Sequence, residues 1–204
     1  MSLPTAVIVM AKAPVAGFAK TRLIPALGAE GAAALAERLL HAAVAQAVAA
    51  RLGAVDLCCA PDRAHPAFAR HAGTTGITLS DQGEGDLGAR MARAFARWLA
   101  YDRCAVMIGT DAPALDAAML QRAVQALSDA DAVLVPAYDG GYALIGLRRA
   151  APSVFADMPW STPAVMARTR ERLAAAGLTH VELPAVADVD EPADLVHLPP
   201  GWRP

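Results

Sequence analysis

Short runs of apolar, β-branched residues alternate along the chain with longer stretches whose apolar positions recur at helical spacing. The runs 5–10 (TAVIVM), 54–60 (AVDLCCA), 104–109 (CAVMIG) and 132–137 (AVLVPA) are nearly continuous in apolar character. That pattern predicts parallel strands covered on both faces by helices. Helices are predicted over 30–52, 63–72, 87–100, 117–128 and 163–176, with short edge strands at 77–79 and 181–183. The run 142–147 (YALIGL) follows its predecessor after only a few residues, too few for a parallel crossover, so it is expected antiparallel or in another register. The expected fold is α/β, with three layers (α/β/α) around a mixed, mostly parallel sheet.

Length adds that one domain spanning 1–204 is expected, at roughly 150 residues per domain. No repeat or Ser/Gly linker divides the chain, and the Pro-rich end 199–204 reads as a frayed tail. Apolar residues at 55% and charged residues at 19% exclude disorder and low-complexity scaffolding. A net charge of −2 leaves no basic field to hold long nucleic acid. The most apolar long stretch, 32–52, contains Glu37, Arg38, His41 and Gln46, so it reads as an amphipathic helix and not as a membrane span. Three cysteines, two of them adjacent, do not form a disulfide framework, and the N-terminus lacks the regions of a signal peptide. A cytoplasmic setting is expected.

The candidate chemistry collects after the strands. Positions 11–23, which follow the first strand, supply Lys12, Lys20 and Arg22, the hydroxyl of Thr21 and Gly17. A di- or triphosphate needs this combination of cations and backbone N–H groups exposed by a glycine turn. The chain carries sixteen arginines but only two lysines, and both lysines fall here, as compact charges suited to phosphate. The loop is neither a Walker A sequence nor a GxGxxG fingerprint.

Asp111 follows the 104–109 strand directly, where one carboxylate can share a Mg²⁺ with waters, phosphate oxygens and a distant partner. Asp116 is better placed than Asp111 to cap the next helix. Asp188 and Asp190 compete for the second ligand position; alternation in an extended segment would aim both to one side. Asp190-Glu191-Pro192 also reads as a helix start with Asp190 as N-cap. Asp139-Gly140-Gly141-Tyr142 is first a tight turn, and then a loop whose glycines let a substrate approach the backbone. The turn Gln82–Gly85 leads into a helix capped by Asp86, whose amides could receive a phosphate while Gln82 meets a base edge. Trp160, Ser161 and Thr162 read as a capped helix start bordering an acceptor pocket. No GxSxG elbow, HExxH or CxxC occurs, and the five histidines show no ligand spacing, so hydrolase and zinc readings fall away.

Together, the pieces KAPVAGFAKTRL, QGEGDLGARM, IGTDAPAL, PAYDGGYALIGL, PWST and DVDEPADL resemble the radical-SAM/selenodomain-associated, glycosyltransferase-like proteins of the GT-A, or nucleotide-diphospho-sugar transferase, superfamily. The match runs from about residue 7 to 195. More distantly the chain is similar to phospholactate and molybdenum-cofactor guanylyltransferases. The resemblance implies a nucleotide bound across the first half of a mixed sheet, with Mg²⁺ or Mn²⁺ at the strand-end aspartate. Lys20 and Arg22 match the basic end of the family's first loop, Asp111 its metal-binding aspartate, and Asp188 and Asp190 the late acidic motif. Pro14 and Ala16 stand where many sugar nucleotidyltransferases carry glycine, so their substrate does not transfer.

The expectation is therefore a Mg²⁺-dependent transferase. Lys20, Arg22 and Asp111 are its catalytic candidates, and Lys12, Gly17, Gln82 and Gly85 contribute to nucleotide binding. Its donor is a nucleoside triphosphate, or alternatively a nucleotide sugar, and its acceptor a small phosphorylated or hydroxyl compound. A non-catalytic nucleotide-binding protein is the alternative from another class.

Overall fold

In the computed structural model, residues 4–100 and 104–202 are described. Within these residues seven strands form one sheet: β1 (Thr5–Lys12), β2 (Gly53–Ala60), β3 (Ile77–Asp81), β4 (Cys104–Ile108), β5 (Ala132–Pro136), β6 (Tyr142–Leu147) and β7 (His180–Glu182). Their order is β3-β2-β1-β4-β6-β5-β7. β6 runs antiparallel to β4 and β5, and the other pairings are parallel. The antiparallel strand is the one whose connection is too short to cross over.

Among the described residues four α-helices cover the sheet: α1 (Ile24–Ala49), α2 (Leu87–Leu99), α3 (Ala117–Ala126) and α4 (Val165–Ala175). Period-2 alternation sorts the core. Val7 and Val9 of β1 face α1 and α3, with Leu40, Val44, Leu120 and Ala123, whereas Ala6 and Ile8 face α2 and α4, with Met91, Phe95, Met166 and Leu173. Gly146, next to last in β6, is crowded between its neighbouring strands: a Cβ there would fall 2.6 Å from Val133 and 2.9 Å from Val106. All three cysteines are free and buried, and burial pushes the Cys59 thiol up to about 12. No helix among the described residues is long and apolar enough to cross a membrane.

Local chemistry explains most boundaries. Asp86 accepts from Ala89 N (2.8 Å) and Asp116 from Met119 N (2.7 Å), capping α2 and α3 as expected. The first helix, predicted from 30, is broken by non-helical Gly28 (φ 70, ψ 168), so its regular part does begin there, but an extra turn precedes it. The helix predicted over 63–72 is only a 3-10 turn, Pro66–His71. Pro66 bars helical backbone at His65, and the few remaining residues cannot repay the cost of nucleating a helix. The tail is not frayed through Trp202: Leu198 is buried, and the Arg38 guanidinium lies 4.5 Å from the centroid of the Trp202 ring. Residues 203–204 lie outside the described residues.

Candidate functional site

The carboxyl ends of β1 to β5 and the amino end of β6 share one edge of the sheet, and the candidate residues are strung along it. The first loop anchors itself through buried Ala13, Ala19 and Leu23, while Phe18 is 69% exposed. Gly17 turns the chain at φ 80 with open space where a Cβ would stand. Lys12 is exposed, and its ammonium donates to Phe18 O at 3.1 Å.

Lys20 behaves differently. Its backbone is left-handed (φ 48, ψ 44), a conformation that costs a non-glycine residue roughly 1–2 kcal/mol. The turn sends its side chain inward, where the ammonium donates to Val189 O and Asp190 Oδ1, both at 2.7 Å, and forms an ion pair with Asp111. That side chain is 9% exposed, against 45% for Asp111 and 40% for Asp190. Burial alone would lower the ammonium's pKa; Asp111 and Asp190 outweigh it and hold the group above its ordinary value.

The late acidic segment is a strap across this edge. Leu183 N donates to Leu134 O, Val186 N to Pro136 O (3.0 Å) and Val189 N to Asp111 O (2.9 Å), so the strap runs from β5 past the start of β6 to the end of β4. Asp188 is thereby partly buried among acids. Burial pushes its carboxyl pKa up, and the charges of Asp139, Asp190 and Asp194 add to the rise. The N-cap expected at Asp190 is instead Glu191, in a capping box with Asp194, because the Asp190 carboxylate is committed to Lys20. Arg22 approaches Glu191 only to 3.8 Å, and both are well exposed.

The remaining candidates are held for structural reasons. Gln82 is 6% exposed, and its Nε2 donates to Ala11 O and Cys58 O, both at 3.0 Å, so its amide N–H groups tie β1 to β2 and are not free for a base. Arg93 caps Gln82 O and Glu84 O, and Arg90 Nε donates to Gly85 O (2.9 Å), closing the glycine turn from behind. Sequence reasoning missed these two arginines; the available signal was their i, i+3 spacing one helical turn beyond the Gly-rich segment.

Asp139 accepts from Gly141 N (2.8 Å), as the turn reading expects. At Gly140 (φ 90) a Cβ would collide with the Pro163 backbone. The Tyr142 hydroxyl faces Met91 Sδ at 4.0 Å inside the second core layer, and burial raises its pKa, so this residue of the candidate substrate-lining loop does not present its hydroxyl to a substrate. Trp160 packs against the same layer with its Nε1 buried, and Thr162 Oγ1 donates back to Pro159 O (2.7 Å). Ser161, exposed at φ 62, turns the chain between them.

Tertiary structure thus brings together Lys20, Asp111 and Asp190, with Asp188 and Asp139 in electrostatic reach and Arg22 beside the strap. It turns Gln82, Tyr142 and Trp160 inward. Among the described residues no group of three or more His, Cys, Asp or Glu gathers as a metal-ligand cluster. The two carboxylates nevertheless suit a hard divalent cation: they supply oxygen donors, remain half-exposed, and converge on one point that a cationic nitrogen occupies.

The chain belongs to the family described as "Uncharacterized protein conserved in bacteria (DUF2064)", whose profile matches residues 27–162. It is similar to a crystal structure from Desulfovibrio desulfuricans G20 described as a "putative nucleotide-diphospho-sugar transferase". The two are 30% identical over 94% of this chain and 84% of that one, with a TM-score of 0.83. A nucleotidyl transferase from Methanothermobacter thermautotroptrophicus shares the fold at 14% identity over 94% of each chain, TM-score 0.64. So does Rv0371C from Mycobacterium tuberculosis H37Rv, crystallised in complex with manganese, at 17% identity over 93% of each chain, TM-score 0.55. No curated protein matches. The fold is that of the nucleotide-diphospho-sugar transferase-like proteins.

Proposed function

We propose that this chain is a divalent-metal-dependent transferase acting on a nucleotide, built as one domain over residues 1–204. The observation that carries the reading is the convergence of Lys20, Asp111 and Asp190, from the first loop, the end of β4 and the late strap. They meet at the carboxyl edge of the sheet, where open α/β sheets bind ligands. In this reading Lys12, Gly17, Lys20 and Arg22 receive the phosphates, and Asp111 with Asp190 or Asp188 holds Mg²⁺ or Mn²⁺. The cation, when bound, neutralises phosphate oxygens and polarises the phosphorus. Lys20 and Arg22 stabilise the charge that spreads over the phosphoryl oxygens as the acceptor oxygen bonds to phosphorus and the bond to the leaving phosphate breaks. Three cations of the chain in one loop favour a nucleoside triphosphate, hence nucleotidyl transfer to a small phosphorylated or hydroxyl acceptor with release of pyrophosphate. The free, buried thiols suit a cytoplasmic setting.

Glycosyl transfer from a nucleotide sugar is the second reading, supported by the 30% identity to the Desulfovibrio protein. The same residues would serve, with the anomeric carbon as electrophile and a nucleoside diphosphate as leaving group. A thermal-shift screen of the four nucleoside triphosphates and common nucleotide sugars, each with and without Mg²⁺ or Mn²⁺, tests both. Metal-dependent stabilisation by a triphosphate with pyrophosphate release supports the first reading. Nucleoside diphosphate release from a sugar donor supports the second, binding without product across acceptors marks a nucleotide sensor, and no stabilisation by any of them overturns the proposal.

A further inference from the structure

The point on which Asp111 and Asp190 converge is held by a cation of the chain's own. Lys20 is one of only two lysines, and a flexible, strongly hydrated ammonium ordinarily stays in water. Here a left-handed backbone turns it inward, and it is buried against Val189 O, Asp190 Oδ1 and Asp111 while its carboxylate partners stay half-exposed. An ammonium has three donors and no lone pair, so it cannot join a metal's ligand shell, and two cations cannot share this position without strong repulsion.

We propose that Lys20 is a built-in counter-cation: it competes with a metal ion for the Asp111–Asp190 site and so weakens binding of the ion alone, and the binding of a divalent cation there expels it toward the nucleotide's phosphates. This rests on the reading of Asp111 and Asp190 as the metal site. The charge arithmetic gives the device its sense. Asp111, Asp190 and Lys20 together carry −1 and repel a polyphosphate; with a divalent cation added the same groups carry +1 and attract it. The freed ammonium belongs to the first loop, so its release unties that loop from the strap at Val189 and Asp190.

The unaltered chain supplies its own test, because exposed Lys12 is an internal reference for Lys20. Limited acetylation with an N-hydroxysuccinimidyl ester, at constant pH and read by peptide mass spectrometry, is compared in EDTA and in saturating Mn²⁺. Lys20 is expected to react slowly relative to Lys12 in EDTA and about ten-fold faster in Mn²⁺, with Lys12 little changed. Calorimetric titration of Mn²⁺ alone provides the second arm: Lys20→Met should bind about ten-fold more tightly than the wild type, and Asp111→Asn should lose binding. Asp111-dependent Mn²⁺ binding that leaves Lys20 labelling unchanged or slower overturns the displacement while the metal reading stands. Absence of Asp111-dependent binding in both the wild type and Lys20→Met overturns both. Should Lys20→Met fail to fold, the labelling arm decides alone.

Discussion

Two charge clusters in this molecule use the same residue types to opposite ends. On the α2 side of the sheet, Asp56 is 1% exposed, accepts from Ser80 Oγ (2.6 Å) and Trp98 Nε1 (2.7 Å), and has Arg97 at 3.6 Å. Asp56 and all three partners sit on regular elements, β2, β3 and α2. At the carboxyl edge the pattern inverts: the cation, Lys20, is buried, its anions Asp111 and Asp190 are half-exposed, and all three stand on loops. A buried, fully satisfied anion on rigid elements is a structural tie, since a second cation has no route to it. Half-exposed carboxylates sharing one buried cation keep oxygen surface for another ligand.

Mutations should separate the two clusters. Asp56→Ala is expected to have the largest effect on stability, about 3 kcal/mol in urea denaturation, because it removes the carboxylate that accepts from the Ser80 hydroxyl and the Trp98 indole and faces the Arg97 charge. It should leave Mn²⁺ affinity untouched; a loss of affinity with the fold intact would break the distinction. Gly140→Ala should come next, at more than about 1 kcal/mol, since the new methyl group meets the Pro163 backbone at a positive φ. Asp111→Asn should cost less than about 1 kcal/mol because Lys20 keeps Val189 O and Asp190, yet it should abolish calorimetric Mn²⁺ binding. Arg22→Ala, whose contact with Glu191 is long and exposed, should leave the melting temperature within error and lower nucleotide affinity in the thermal-shift screen.

The smallest effect belongs to an exposed pair that serves as control. Arg170 donates twice to Glu182 (2.7 and 2.9 Å), and these bonds hold the Glu182 carboxyl below its ordinary value. A depressed carboxylate contributes stability that is present above the unfolded pKa, about 4.5, and lost as pH falls through the lower folded value. Glu182→Gln should therefore flatten the acid limb of the stability curve slightly, by well under about 1 kcal/mol after solvent screening. A steeper limb would contradict that sign.

The sheet and its helices were legible because strands 5–10 and 104–109 carry continuous apolar runs and Asp86 and Asp116 carry the caps that begin α2 and α3. These are local signals. The helix predicted over 63–72 failed because Pro66 and the short span between β2 and β3 outweighed its composition. At the edge, Lys20, Asp111 and Asp190 were recognisable as chemistry, but Gln82 and Tyr142 looked equally free to serve a ligand. A buried amide bonding to strand carbonyls and a hydroxyl packed on Met91 leave no trace in residue type.

The order of apolar and polar positions by itself determined an α/β chain with one strand, 142–147, that could not follow its predecessor by a parallel crossover, and with its charged loops at the strands' carboxyl ends, because side-chain periodicity and loop length act over a few residues. Only the tertiary structure decided which charges meet. The nitrogen of Lys20 and its carboxylate partner in Asp190 are 170 residues apart in sequence, and no local propensity encodes a contact made by the crossing of a loop and a strap over the sheet edge.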